Sequence, residues 1–209
     1  EGDDLPRALE LFRQGSEAGS GDCTCALGLC CEEGDGVEQS WEEAVRLYEK
    51  AAGQGSPWAM GNLAWCYDNG QGVEKSPEQA AAWYKKGAEL GAPRCLCSLG
   101  WCYETGSGVE QSWEEAARCY EEAARRGYPR AMGNIGWCYE FGRGVEKDIQ
   151  TAAQWYKRGA EAGSARCMVD YGLCCELGDG VEQDLEQAAR WYERSAQEGN
   201  PRGMCNLAW

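Results

Sequence analysis

Histidine is absent from the 209 residues. That removes the commonest general base, and with it every Ser-His or Cys-His pair for nucleophilic catalysis. Positive charge is scarce: 20 Lys and Arg stand against 35 Asp and Glu, a net charge of -15. This favours solubility and argues against nucleic acid as a partner, which needs a basic surface. No run of about 18 apolar residues exists, so no membrane-spanning helix is expected. No leader peptide is visible, as is equally true of any processed or trimmed chain. None of the glycine loops ends in Gly-Lys-Ser/Thr, so none is a phosphate loop, and no Cys-x-x-Cys zinc knuckle occurs. The sequence is expected to hold no catalytic site and no cofactor.

What the sequence has is a repeat. The loop Gly-x-Gly-Val-Glu begins at Gly34, Gly70, Gly106, Gly142 and Gly178, always 36 residues on. A fixed period in this range is the signature of stacked repeats, with one continuous core and no internal domain boundary. The reading is a single array over 1–209, with a partial unit at 1–20, complete units from about 21 to 199 and a partial unit at 200–209. Each unit is two helices. Helices of the first kind, A, are expected at 21–33, 57–69, 93–105, 129–141 and 164–177. Those of the second kind, B, are expected at 3–18, 40–53, 76–90, 112–126, 148–162 and 184–198. The chain stops at Trp209, inside another helix A and one residue before the place of its recurring cysteine. The expectation is that the array continues past Trp209 or that its last turn is disordered.

The start signals are chemical. Ser40 with Glu43, and Ser112 with Glu115, have capping-box spacing. Ser76-Pro77 puts proline at the first helical position, and Asp148 and Asp184 cap the later units. Gly19, Gly55, Gly91, Gly127, Gly163 and Gly199 end helices B, and the first glycine of each loop ends a helix A. Inside helix A, Gly28, Ala64, Gly100, Gly136 and Gly172 share a position. A mid-helix glycine costs about 1 kcal/mol against alanine, so close approach of a facing helix is expected there. The recurring Tyr48, Tyr84, Tyr120, Tyr156 and Tyr192 of helices B are the bulky complement. Glu42 with Arg46, Glu114 with Arg118 and Glu186 with Arg190 read as surface pairs four apart. A longer period, of two units, is also present: Val-Glu-Gln-Ser-Trp-Glu-Glu-Ala and Ala-Met-Gly-Asn recur in alternate units.

Leu99-Gly100-x-x-Tyr103-x-x-Gly106-x-Gly108-Val109, then Ala116, Tyr120, Ala124 and Gly127, resembles the Sel-one-like repeat family, relatives of the tetratricopeptide repeats. The resemblance covers essentially the whole chain. It implies an all-α fold, an α/α solenoid forming a right-handed superhelix of about six antiparallel helix pairs. It also implies an adaptor role toward other proteins and no catalysis by default. Two units depart from the pattern, with Cys31 and Cys175 in the place of Tyr103, and Tyr171 stands where leucine is usual.

The fourteen cysteines admit three readings. Cys30, Cys66, Cys102, Cys138 and Cys174 occupy one position in five units. Equivalent residues on stacked helices lie about 8–10 Å apart, beyond the ~7 Å reach of a disulfide. The secreted cysteine-rich members of the resembled family bridge the end of a helix B to the next helix A. Here Cys23, Cys95 and Cys167 fill the second partner's place, but Ser16, Ala88 and Ala160 fill the first. A metal site at Cys23, Cys25, Cys30 and Cys31 lacks ligand spacing. The favoured reading is small buried hydrophobes with free thiols, which implies a reducing, cytoplasmic compartment.

One constellation points to function. Trp58, Gly61, Asn62 and Trp65 lie on one face of a helix A, opposite Leu63 and Tyr67. That face repeats as three rows: Trp65, Trp101, Trp137 and Trp209; Asn62, Asn134 and Asn206; Arg94, Arg130, Arg166 and Arg202. Glu32, Asp68, Glu104, Glu140 and Glu176 border one end. Exposed aromatics and arginines are what interaction surfaces enrich. The expectation is that Trp58, Asn62, Trp65, Arg94, Trp101, Arg130, Asn134, Trp137, Arg166, Arg202 and Asn206 line a concave groove for a peptide or helix of another protein. The competing reading has each Trp sealing the core. Two further functions stay open: a ligand-binding protein or enzyme of the secreted cysteine-rich type, and a thiol or metal sensor. Oligomeric state is open.

Overall fold

A computed structural model describes residues 4–207. The described residues form twelve α-helices and no strand. The helices run α1 Asp4–Glu17, α2 Gly21–Glu33, α3 Trp41–Gly53, α4 Pro57–Asn69, α5 Pro77–Glu89 and α6 Pro93–Thr105. They continue as α7 Trp113–Arg125, α8 Pro129–Phe141, α9 Ile149–Glu161, α10 Ala165–Leu177, α11 Leu185–Gln197 and α12 Pro201–Leu207. Even-numbered elements are helices A and odd-numbered ones helices B. The observed ends fall within one residue of the expected ones wherever the residues are described. Trp209, the last member of the tryptophan row, lies outside the described residues. Contacts gather into two compact halves, Glu1–Glu110 and Gln111–Trp209.

Within each half the packing is that of an α/α solenoid. In the first, α2 packs on α3 and α4 on α5, while successive helices A also touch, α2 with α4 and α4 with α6. In the second, α8 packs on α9 and α10 on α11, with α8 against α10 and α10 against α12. The mid-helix glycines do what close approach demands. A Cβ on Gly28, Gly136 or Gly172 would lie 2.6, 2.5 or 2.6 Å from the ring of Tyr48, Tyr156 or Tyr192. Each of these tyrosines lies over its glycine and is almost wholly buried. Met60 and Leu63 of α4 share the core with Tyr48, and Met168 and Val169 of α10 share it with Tyr156 and Tyr192.

Caps and loops lock the period. Ser40 Oγ accepts from the N–H of Glu43 at 3.2 Å. The reciprocal arm of the expected capping box is replaced, because the Ser40 N–H donates to the carbonyl of Cys31 at 2.8 Å. Ser76, Asp148 and Asp184 repeat this bond to Tyr67, Tyr139 and Cys175. The cap residue therefore ties the start of each of these helices B to the helix A before it. The second loop glycine sits on the start of the preceding helix B. Gly144 has φ +71, and a Cβ there would fall 1.9 Å from the Trp113 carbonyl oxygen.

Two of the expected surface pairs differ. Arg46 and Arg118 pair with Glu43 and Glu115, three residues away, at 3.4 and 3.1 Å. Glu42 and Glu114 instead accept from the capping hydroxyls of Ser40 and Ser112. Arg190 pairs with Glu186 as expected.

Candidate interaction face

The rows sort by how the stacked helices A meet. Arginine sits one turn earlier in its helix than the Asn row, so its guanidinium reaches back to the previous helix A. Arg94 Nη1 donates to Asn62 Oδ1 at 2.9 Å, and Arg166 Nη1 to Asn134 Oδ1 at 3.2 Å. Asp170 holds the Asn-row place in α10. It lies 3.6 Å from both Arg166 and Arg202. Burial pushes its carboxyl up, and the two guanidiniums pull it back down.

This ladder changes the standing of one expected groove residue. Asn62 is 7% exposed, because its carbonyl takes Arg94 and its amide donates to Cys25 Sγ at 3.6 Å. It orients the arginine and offers little surface itself. Asn134 and Asn206 are half-buried, and Arg130, Arg166 and Arg202 are exposed.

The tryptophans are neither core nor free. Trp58 is 65% exposed, Trp101 42% and Trp65 37%, while Trp137 is half-buried. Trp65 rests on Trp41 and Trp137 on Trp113, each with ring centroids 5.7 Å apart. Trp41 and Trp113 each start a helix B, so the first residue of that helix props the indole of the following helix A. Each of these two indoles is thus propped by the helix before it and remains part-exposed.

Two clefts open on these rows. In the first half a cleft of about 330 Å³ is lined by Asp22, Leu29, Trp58, Asn62 and Arg94. In the second a cleft of about 360 Å³ is lined by Trp137, Phe141, Leu173, Arg166, Asp170 and Arg202, among others. Sequence reasoning does not single out Asp22, Asp170 or Phe141. Asp22 and Asp170 carry a signal all the same, since they stand in the Arg and Asn columns of the 36-residue alignment.

The bordering carboxylates are held. Tyr48, Tyr156 and Tyr192 donate to Glu32, Glu140 and Glu176, each at 2.5 Å. Burial and the facing carboxylate push all three phenols upward.

Most of the thiols are buried fillers, whereas Cys23 and Cys31 are half-buried and Cys205 is exposed. Burial pushes Cys66 and Cys174 up to about 12 and Cys25 to about 11, which suppresses the thiolate that nucleophiles and metal ligands need. Cys95 and Cys167 lie over Gly87 and Gly159, where a Cβ would come within 2.5 Å of sulfur. Among the described residues, no group of three or more Cys, Asp or Glu is placed to hold a metal ion.

Stacked A/B pairs on a 36-residue period, with an Asn, Trp and Arg face, define an all-α helical-repeat protein. The Sel1 repeat profile matches residues 3–20, 21–56, 59–91, 93–128, 129–164 and 165–200. The chain belongs to the Sel1 repeat family, whose members are in general scaffolds for protein–protein interaction. No curated protein matches it. Among solved structures it resembles c5321, a protective antigen of uropathogenic Escherichia coli strains with an SLR fold, at 32% identity and TM-score 0.87. That likeness covers 97% of this chain and 44% of the antigen, so this chain spans under half its length. A Sel1 repeat protein from Oxalobacter formigenes is also 32% identical with TM-score 0.87, over 95% of this chain and 88% of that one. The Helicobacter pylori cysteine rich protein B is 25% identical with TM-score 0.50, over 63% of this chain and 94% of that one.

Proposed function

We propose that this chain is a non-catalytic adaptor that holds an extended segment or helix of another protein on the shared face of its helices A. The observation that carries this is the row of part-exposed indoles, Trp65, Trp101 and Trp137, two of them propped from behind by Trp41 and Trp113: a propped, part-exposed aromatic is a rigid, pre-ordered contact surface. The arginines serve the same end. Arg94 and Arg166 spend one or two of their five donors on the Asn/Asp ladder, leaving the rest for carbonyls or carboxylates of the guest.

The test is a pair of substitutions. Trp101→Ala should weaken capture of the partner more than about tenfold, as loss of a central aromatic anchor does, with little change in thermal midpoint. Leu99, which is buried, should behave oppositely: Leu99→Ala lowers stability. A Trp101 variant that unfolds as readily as the Leu99 variant would return the row to the core and remove the basis for this function. The partner itself would come from affinity capture with the intact chain and mass spectrometry.

We also propose that the cysteines work as reduced thiols, in a reducing compartment. Thiol reagent applied to denatured, unreduced protein should modify nearly all fourteen. Several stoichiometric disulfides would overturn this and favour an oxidising setting.

A further inference from the structure

In the second half, helices A and B differ in whether a cation stands in the last turn. In the second half α7, α9 and α11 each carry an arginine in the last turn, at Arg125, Arg158 and Arg194. Cations there complement the negative end of the helix dipole. Helices α8 and α10 carry no basic residue in the last turn, so Glu140 and Glu176 share that turn with no cation, whereas Glu122 of α7 and Glu161 of α9 share theirs with Arg125 and Arg158. A carboxylate at that end is electrostatically misplaced for stability. Tyr156 holds Glu140 through one oxygen, which fixes the group without neutralising its charge.

Glu140 also borders the cleft of the second half. Beside it on the same helix stand Trp137 and Phe141, with ring centroids 5.3 Å apart. Phe141 is 53% exposed and Leu177 64%, and both line the cleft beside its charged groups. Five charged groups line the cleft: Arg166, Arg202, Asp170, Glu140 and Asp179. The two arginines flank Asp170 in the first half of α10. Glu140 stands in the last turn of its own helix, nearly three turns beyond the arginine position in the repeat, with Asp179 of the loop after α10 lining the same cleft. That end is therefore negative and aromatic at once.

We propose that the Glu140 end of this cleft receives a lysine or arginine side chain of the partner protein. The stem of such a residue would lie against Phe141 and Leu177, and its head would meet the Glu140 carboxylate beside the Trp137 ring. The aromatic faces and the carboxylate both attract a cation. The net charge of -15 steers basic segments toward the molecule as a whole. This inference rests on the adaptor function above and adds the chemistry of the guest.

The experiment is selection of short random peptides, displayed on phage, against the intact chain and against its Glu140→Gln variant. Glutamine keeps an oxygen to accept from Tyr156 and removes the charge that opposes the helix dipole, so thermal stability should not fall. Peptides selected on the unaltered chain should be enriched in Lys or Arg next to apolar residues. A synthetic copy should bind Glu140→Gln at least about tenfold more weakly, by fluorescence anisotropy, and with a shallower salt dependence. General attraction to an acidic protein would survive that single substitution, and equal binding to both chains would therefore overturn the inference. Peptides that depend on Trp101 but not on Glu140, or acidic peptides lost on Arg166→Ala, would overturn it too and leave the adaptor function standing. No selected peptide on either chain would remove both.

Discussion

Gly144→Ala should cost about 4 kcal/mol of stability, read as a shift of the urea midpoint, while Gly163→Ala should cost only about 1–2 kcal/mol. Both glycines are left-handed, with φ +71 and +90. Alanine in that region carries a penalty of roughly 1–2 kcal/mol wherever it stands. The surroundings then separate them. A Cβ at Gly163 meets nothing within 4 Å, whereas one at Gly144 would fall 1.9 Å from the Trp113 oxygen and 2.7 Å from the Glu114 nitrogen. Those atoms begin helix α7 and cannot swing aside as a side chain would. The loop must lift off the helix, exposing the cap bond from Asp148 to Tyr139. That displacement adds the usual cost of overpacking, about 1–3 kcal/mol. Equal effects of the two substitutions would show that φ alone, and not the seat on α7, explains the second loop glycine.

Why so much of the fold is legible in the sequence follows from the same seat. Each recurring residue meets an equivalent partner, so one physical reason at Gly28 and Tyr48 serves again at Gly136 and Tyr156. Helix ends are readable because caps are local: Ser40, Pro77 and Asp148 declare themselves within a single helical turn. What the sequence conceals is contact between repeats one period apart. Nothing local says that Arg94 turns back to Asn62 on the previous helix A, or that Trp41 supports Trp65. The Asn row reads as a free polar stripe because its partner lies on the neighbouring helix. The capping box misleads for the same reason, since the amide it should satisfy is taken by the carbonyl of Cys31 across the loop.

The exchange of residues at one such contact gives the most demanding test. Where the end of a helix B meets the next helix A, the described pairs come in three kinds. Gly15, Gly87 and Gly159 face Cys23, Cys95 and Cys167; Ser195 faces Gly203; Ala51 and Ala123 stand at the same period against Ala59 and Ala131. The pair changes while its summed size hardly does. Where the pair carries a thiol or hydroxyl, that group also reaches a fixed backbone carbonyl. Cys95 and Cys167 point sulfur at the carbonyls of Pro57 and Pro129, at 3.6 and 3.8 Å. In the last pair the hydroxyl of Ser195 donates to the equivalent carbonyl of Ala165 at 2.7 Å. Gly159→Ser alone should therefore cost about 3 kcal/mol, because its Cβ would sit 2.5 Å from the Cys167 sulfur. Cys167→Gly alone should cost about 2 kcal/mol, from the cavity and the added helix glycine. Made together, they recreate the Ser195 and Gly203 arrangement, with the new hydroxyl free to donate to Pro129. The helix propensities of the two changes nearly cancel. The double variant should then lose only about 1–2 kcal/mol, a coupling of about 3 kcal/mol, near the upper end for residues in contact. Urea unfolding of the four proteins in this cycle measures it. Additivity within about 0.5 kcal/mol, the behaviour of distant and independent sites, would mean that the alternation of Gly-Cys and Ala-Ala along the array is not a packing rule.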